Sequence, residues 1–119
     1  MTLDLAPRIF LDTSAWYKPG QLFICKEKDW FDAYDGIGVV HIIPGDVVFL
    51  IKTRCQKISR KTGSELYATI LFLIEDKIYR SNTITADVKT KYTSFVPEDK
   101  IVIKKSIENK FEPMVMSNV

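Results

Sequence analysis

The segment Pro44-Gly45-Asp46-Val47-Val48-Phe49-Leu50-Ile51 decides the fold class, because a turn dipeptide and one polar residue lead into a run of β-branched and aromatic residues. A short apolar run bounded by a turn has the length of a strand and is too short for an independent helix. The same arrangement occurs 25 residues earlier, where Pro19-Gly20-Gln21 precedes Leu22 to Cys25. We therefore predict that each Pro-Gly pair is a turn that leads into a strand.

The segments that follow add further predicted strands. Residues 37–43 form one of them, with His41 inside it. Residues 65–75 are ambiguous, because Thr62 and Glu65 have the spacing of a helical capping box. Glu75-Asp76, however, lies between two apolar runs as a tight turn would. A hairpin of residues 65–74 with 77–84 accounts for more of the pattern and is the preferred interpretation.

The remainder of the chain predicts little helix. Residues 85–99 are polar and end near Pro97, as in a long connection, and residues 100–104 alternate as in a last strand. Asp29 to Tyr34 suits one helical turn, and residues 112–119 are expected to fray. The total is a mainly β domain over residues 1–119 with at most one or two short helices. By analogy of size and strand number, we predict an SH3-like small barrel or a strongly bent antiparallel sheet.

The composition is that of one globular domain. The chain has 119 residues, of which 46% are hydrophobic and 27% charged. No apolar run reaches the roughly 18 residues of a membrane span, and the first residues do not resemble a secretory signal. The two cysteines, Cys25 and Cys55, lie in strand-like segments without zinc or redox spacing, so we expect reduced, buried thiols. These features favour a cytoplasmic protein that does not associate with membranes.

The sequence predicts no catalytic residues, no metal site and no cofactor. The one histidine, His41, lies inside an apolar segment, and no nucleophile motif or glycine-rich phosphate loop is present. Residues 9–15 resemble the first strand of PIN-domain nucleases, in which an aspartate, here Asp12, helps to bind a metal. The resemblance ends there, because turns and strands follow instead of the helices that carry the other carboxylates of that α/β family. We therefore predict that the protein is not an enzyme.

The charge is uneven along the chain and points to a basic loop. Residues 1–51 carry a net charge of −3 and residues 52–119 carry +5. A group of bases without intervening acids follows the strand that ends at Ile51, and like charges so close favour an anionic partner. We predict a partner-binding basic loop formed by Lys52, Arg54, Lys57, Arg60 and Lys61.

A second candidate surface mixes aromatic and acidic residues within one short segment. Aromatic rings surrounded by carboxylates suit the recognition of a basic or proline-rich segment of another protein. We predict a partner-binding acidic–aromatic patch formed by Asp29, Trp30, Phe31, Asp32, Tyr34 and Asp35.

These surfaces predict a non-enzymatic accessory or regulatory module that binds or inhibits a macromolecular partner. A protein partner is favoured over nucleic acid, because single-stranded nucleic acid needs aromatic rings beside the cations and the segment from Lys52 to Ser64 has none. The alternatives are a nucleic-acid-binding small β-barrel that uses the basic loop 52–61, and a structural component of a larger assembly such as a phage particle.

Overall fold

The computed structural model describes residues 8–12, 17–91 and 95–115, and it confirms the prediction of a mainly β fold. One antiparallel sheet curls strongly into a half-barrel, and one short helix packs against it. In chain order the elements are β1 (Arg8–Asp12), β2 (Leu22–Cys25), β3 (Asp29–Ala33), β4 (Val39–Ile42), β5 (Val47–Arg60), β6 (Gly63–Ile74), β7 (Lys77–Arg80), β8 (Ile84–Val88), α1 (Pro97–Glu108) and β9 (Phe111–Pro113).

The long hairpin of β5 and β6 is the centre of the sheet. Strands run in the order β4-β3-β7-β6-β5-β2-β9, and β1 and β8 pair with the far ends of β5 and β6. Each long strand therefore has two successive partners on its outer edge: β5 pairs first with β2 and then with β1, and β6 pairs first with β8 and then with β7. This change of partner lets a single hairpin support both halves of the curled sheet.

A β-bulge in β5 reverses the side to which alternate residues point. Val48 and Leu50 are buried before the bulge, whereas Thr53 and Cys55 are buried after it. The register with β6 shifts between Leu50 and Lys52, which marks the extra residue, Ile51. Because side chains alternate strictly along a strand, one inserted residue moves every later side chain to the opposite face. The bulge thus places Lys52 on the outer face.

Ser81 fills the point where β6 changes partner from β7 to β8. Its backbone N–H donates to the Ile70 carbonyl at 2.9 Å, and its hydroxyl accepts the Ile70 N–H at 3.1 Å. Ser81 is buried, so its side chain replaces a ladder hydrogen bond that would otherwise be lost in the core. The strand break beside it leaves a hollow on the outer face of the sheet.

The core lies on the inner face of the curled sheet and is built around four phenylalanines. The Phe72 ring lies 5.5 Å from Phe31, 5.2 Å from Phe111 and 6.0 Å from Phe23, measured between ring centroids. These residues come from strands far apart in sequence, and the inner face of α1 adds Ile103 and Ile107. Aromatic clusters of this kind account for a large part of the apolar area that a small domain buries.

The predicted strand at residues 100–104 is wrong, because this segment lies inside α1. Asp99, Ile103 and Ile107 are its buried residues, and their spacing of four is that of one helix face. Pro97 occupies the first turn, where its missing N–H costs nothing, and Glu98 and Asp99 suit the positive end of the helix dipole. Five residues of alternating polarity are too few to distinguish the two-residue period of a strand from the 3.6-residue period of a helix.

Other local predictions have mixed outcomes. Residues 29–33 form strand β3 and not a helical turn, and residues 84–88, expected to lie mostly in a connection, form β8. The predicted hairpin of residues 65–74 with 77–84 is confirmed in part: residues 65–74 are strand and 71–74 pair with β7, but β7 ends at Arg80, and residues 65–68 pair with β8. Glu112 and Pro113, expected to fray, pair with β2 in β9, while residues 116–119 lie outside the described part.

Both Pro-Gly turns are confirmed. Gly20 and Gly45 have φ of 93° and 97°, a conformation that glycine adopts without strain. The Gln21 N–H donates to the Lys18 carbonyl at 3.1 Å, and the Asp46 N–H donates to the Ile43 carbonyl at the same distance. Proline before a glycine of positive φ, closed by such a bond, is the pattern of a type II turn.

Candidate functional site

The predicted basic loop is not a loop, because β5 runs through Arg60. Within it the side chains separate: Lys52 and Arg54 are exposed on the outer face, and Lys57 is buried on the inner face. The Arg60 guanidinium lies 3.4 Å from the Glu65 carboxylate, and Lys61 is exposed in the following turn. The five bases therefore do not form one surface, since a strand sends alternate residues to opposite sides.

Lys57 anchors the helix to the sheet. Its ammonium donates to the Asp99 carboxylate at 2.6 Å and to the Thr90 hydroxyl at 3.1 Å. Asp99 also accepts from the Thr90 hydroxyl at 2.7 Å and from the Val96 N–H at 3.0 Å. Burial by itself raises the pKa of the Asp99 carboxyl, but the hydrogen bonds from Lys57, Val96 and Thr90, with the Lys57 charge, hold that pKa below its ordinary value.

The predicted acidic–aromatic patch is divided in the same way. Phe31 is fully buried in the core, whereas Trp30 and Tyr34 are exposed. The Asp29 carboxylate accepts from the Asn82 amide at 2.6 Å, and Asp35 lies in the β3–β4 turn. Strand alternation sends Phe31 inward and leaves only part of the segment on the outer face.

An apolar row on the outer face was not predicted from the sequence. Leu22 pairs with Phe49, Phe49 with Leu73, and Leu73 with Ile78. The Tyr34 N–H donates to the Ile78 carbonyl at 2.9 Å, so the row continues past β7 to the end of β3. Tyr34 is 59% exposed, Phe49 41% and Ile78 36%. Leu22 and Leu73 are half-buried, so the apolar row is a continuous, partly exposed surface across five adjacent strands.

Charges of opposite sign border the two long sides of the apolar row. On one side are the turns at the strand ends, and on the other the next one or two outward positions along the strands. We call the first group the acidic rim and the second the basic rim. The acidic rim consists of Asp35, Glu75 and Asp76, and the basic rim of Lys52, Arg54 and Arg80.

Each rim contains one neighbouring charge of the opposite sign. The Lys77 ammonium lies 3.6 Å from the Asp35 carboxylate in the acidic rim. Asp32 is the register partner of Arg80 beside the basic rim. Neither Lys52 nor Arg80 has a carboxylate within 4 Å among the residues that the structure describes. The rims therefore keep opposite net charges.

A hollow of about 340 Å³ lies along the basic rim, beside the break between β7 and β8. Its floor includes Leu71, and the rim cations and the Tyr34 ring surround it. The residues that line it are Tyr34, Lys52, Arg54, Thr69, Leu71, Arg80 and Thr83. Such a hollow suits an anionic group attached to an apolar or planar one.

Within the described residues, the side chains that could act as nucleophiles, bases or metal ligands do not lie together in one cluster. Cys25 and Cys55 are buried free thiols, as expected, and burial raises the pKa of each to about 12. A thiol of such high pKa has little thiolate at neutral pH and is a poor nucleophile. The His41 ring lies 4.5 Å from Trp30, and no group of three potential metal ligands occurs in the described ranges.

Comparison of the chain with protein-family models, with curated proteins and with solved structures gives no match. Among the described residues, α1 is the one helix, and it is neither long nor apolar enough to cross a membrane.

Proposed function

We propose that this protein is a non-enzymatic accessory module that binds another protein surface through the outer face of its sheet. The apolar row carries the proposal. Five large side chains from β2, β5, β6, β7 and β3 lie side by side and partly exposed. Burying apolar surface contributes roughly 25 cal/mol per Å², and continuous apolar patches on soluble proteins mark interaction sites.

The basic rim adds specificity to this surface. Lys52 and Arg80 border the same hollow as Tyr34, so a carboxylate placed there contacts cations and an aromatic ring together. The expected partner surface is therefore apolar at its centre with acidic groups along one side. Charges at the edge of an interface act mainly on the rate of association and on the choice of partner.

Site-specific photo-crosslinking tests the proposal. The photoreactive residue p-benzoylphenylalanine, placed at Phe49 or at Ile78 in turn, is expected to form a discrete protein adduct in the cells that make this protein. The matched control is the same residue at Ile101, which is 68% exposed on α1, away from the apolar row. Adducts from the control alone, or none from either outer position, would contradict the proposal.

Nucleic acid is the second candidate, because the fold supplies the aromatic ring that the basic segment lacks. The Tyr34 ring lines one hollow with Lys52, Arg54 and Arg80. The protein partner remains favoured, since Asp32 pairs in register with Arg80. This acid reduces the potential that would attract a phosphate backbone.

Fluorescence anisotropy with a labelled single-stranded oligonucleotide separates the two candidates. If three cations contact phosphates, the logarithm of the binding constant falls with the logarithm of salt with a slope near −2. The variant K52E/R80E would then lose binding, and the control K104E/K105E on α1 would retain it. We expect no such salt-dependent binding; finding it would replace the protein partner with nucleic acid.

A further inference from the structure

The pattern of charge around the apolar row restricts what can cover it. The acidic rim and the basic rim run parallel to the row on opposite sides. In β5, Lys52 follows Phe49 by three residues across the bulge; around β7, Asp76 in the preceding turn and Arg80 at the strand end lie on either side of Ile78. The surface is therefore an apolar strip between two lines of opposite charge.

Such a strip is complementary to itself under one particular rotation. A two-fold axis that lies in the interface and runs along the row turns the face over and exchanges its two sides. The basic rim of one copy then faces the acidic rim of the other, while the apolar rows meet along the axis. A two-fold axis parallel to the strands would instead place acid against acid, which like-charge repulsion opposes.

We infer that the partner of the outer face is a second copy of this chain, packed sheet against sheet about an axis along the apolar row. This inference rests on the proposed function, since it identifies the protein that the surface binds. Leu73 occupies the middle of the row and meets its own equivalent near the axis. Arg80 faces Asp76 of the second copy. Face-to-face packing of antiparallel sheets is a common arrangement in β proteins.

The size of the strip sets the expected affinity. Five strands about 4.8 Å apart give a row about 19 Å long, and the rims are about 15 Å apart along the strands. With the rim side chains, each copy buries several hundred Å², which is at the lower end for specific protein interfaces. We therefore expect a reversible dimer that dissociates in the micromolar range, visible only in a concentration series.

Sedimentation equilibrium from low micromolar to near-millimolar concentration tests the inference. The parent is expected to pass from monomer to dimer, and L73E to remain a monomer, because two carboxylates would meet in the centre of the interface. The variants R80E and D76R are each expected to weaken the dimer by about tenfold, since symmetry makes every substitution act twice. The double variant R80E/D76R is expected to restore the parent affinity to within about threefold, as the two charges simply exchange places.

The controls separate this inference from the proposed function. The variant K104E on α1 should dimerise like the parent, and circular dichroism should show unchanged folding for every variant. If L73E does not fold, the exposed pair Arg80 and Asp76 still decides the question. A parent that stays monomeric throughout, while Phe49 crosslinks to a different protein, overturns the self-association and leaves the proposed function standing. A dimer that is insensitive to L73E and to both charge reversals overturns the inference as well.

Discussion

Replacing Asp99 by alanine is expected to lower the free energy of unfolding by about 3–5 kcal/mol, because it leaves the Lys57 ammonium buried without its carboxylate. The exposed fractions of the two side chains are 1% for Lys57 and 0% for Asp99, and the charged atoms are 2.6 Å apart. Asp99 also accepts the Val96 N–H at the start of α1. Its loss therefore affects both the ion pair and the end of the helix.

Urea unfolding followed by circular dichroism measures this change. The matched control is Glu98→Ala, an exposed acid in the same helical turn, which should change stability by at most about 0.5 kcal/mol. The double variant K57M/D99L should recover much of the loss, since replacing both members of a buried ion pair by apolar residues is often neutral. Equal unfolding midpoints for Asp99→Ala and the parent would refute the anchoring role of the pair.

Lowering the pH should reproduce part of the loss of stability expected for Asp99→Ala. The pKa of Asp99 lies below its ordinary value of 3.8 in the folded protein, so the unfolded chain takes up the proton first as the pH falls. The contribution of this carboxylate to stability is therefore complete above about pH 5 and disappears as the pH falls through the folded pKa. Unfolding measured at a series of pH values should show a smaller decrease over this range in K57M/D99L than in the parent.

Replacing Phe72 by alanine is expected to cost about 3–5 kcal/mol of stability, because the ring is fully buried among other rings. Phe72 is 0% exposed, and its centroid lies within 6.0 Å of those of Phe23, Phe31 and Phe111. Removing it leaves a cavity that four separate strands cannot close together. Chemical unfolding at low protein concentration measures the cost.

Phe49→Ala is the matched control for Phe72→Ala. It removes the same side chain from the strand paired with β6, but from the outer face, where the ring is 41% exposed. The expected loss is smaller, about 1–2 kcal/mol, since part of that ring stays in water in the folded protein and its removal leaves no enclosed cavity. If the two variants lose similar stability, the assignment of inner and outer faces is wrong.

The sequence by itself determined the features that depend on local backbone chemistry. Pro19-Gly20 and Pro44-Gly45 are turns because proline restricts φ and glycine accepts a positive φ, whatever surrounds them. Glu75-Asp76 separates two strands of a hairpin because a polar pair between two strand-length apolar runs favours a tight turn. The mainly β class follows from these turns and from the strand-length runs between them.

The tertiary structure alone decided where the charged and apolar side chains point. One residue inserted at Ile51 changes the face of everything after it, so Lys57 enters the core and Lys52 does not. Asp99 can pair with Lys57 because α1 packs across the inner face, although the two residues are 42 positions apart. The apolar row is assembled from five strands whose register no single segment encodes. A surface formed by strands from distant parts of the sequence can therefore be identified only from the assembled sheet.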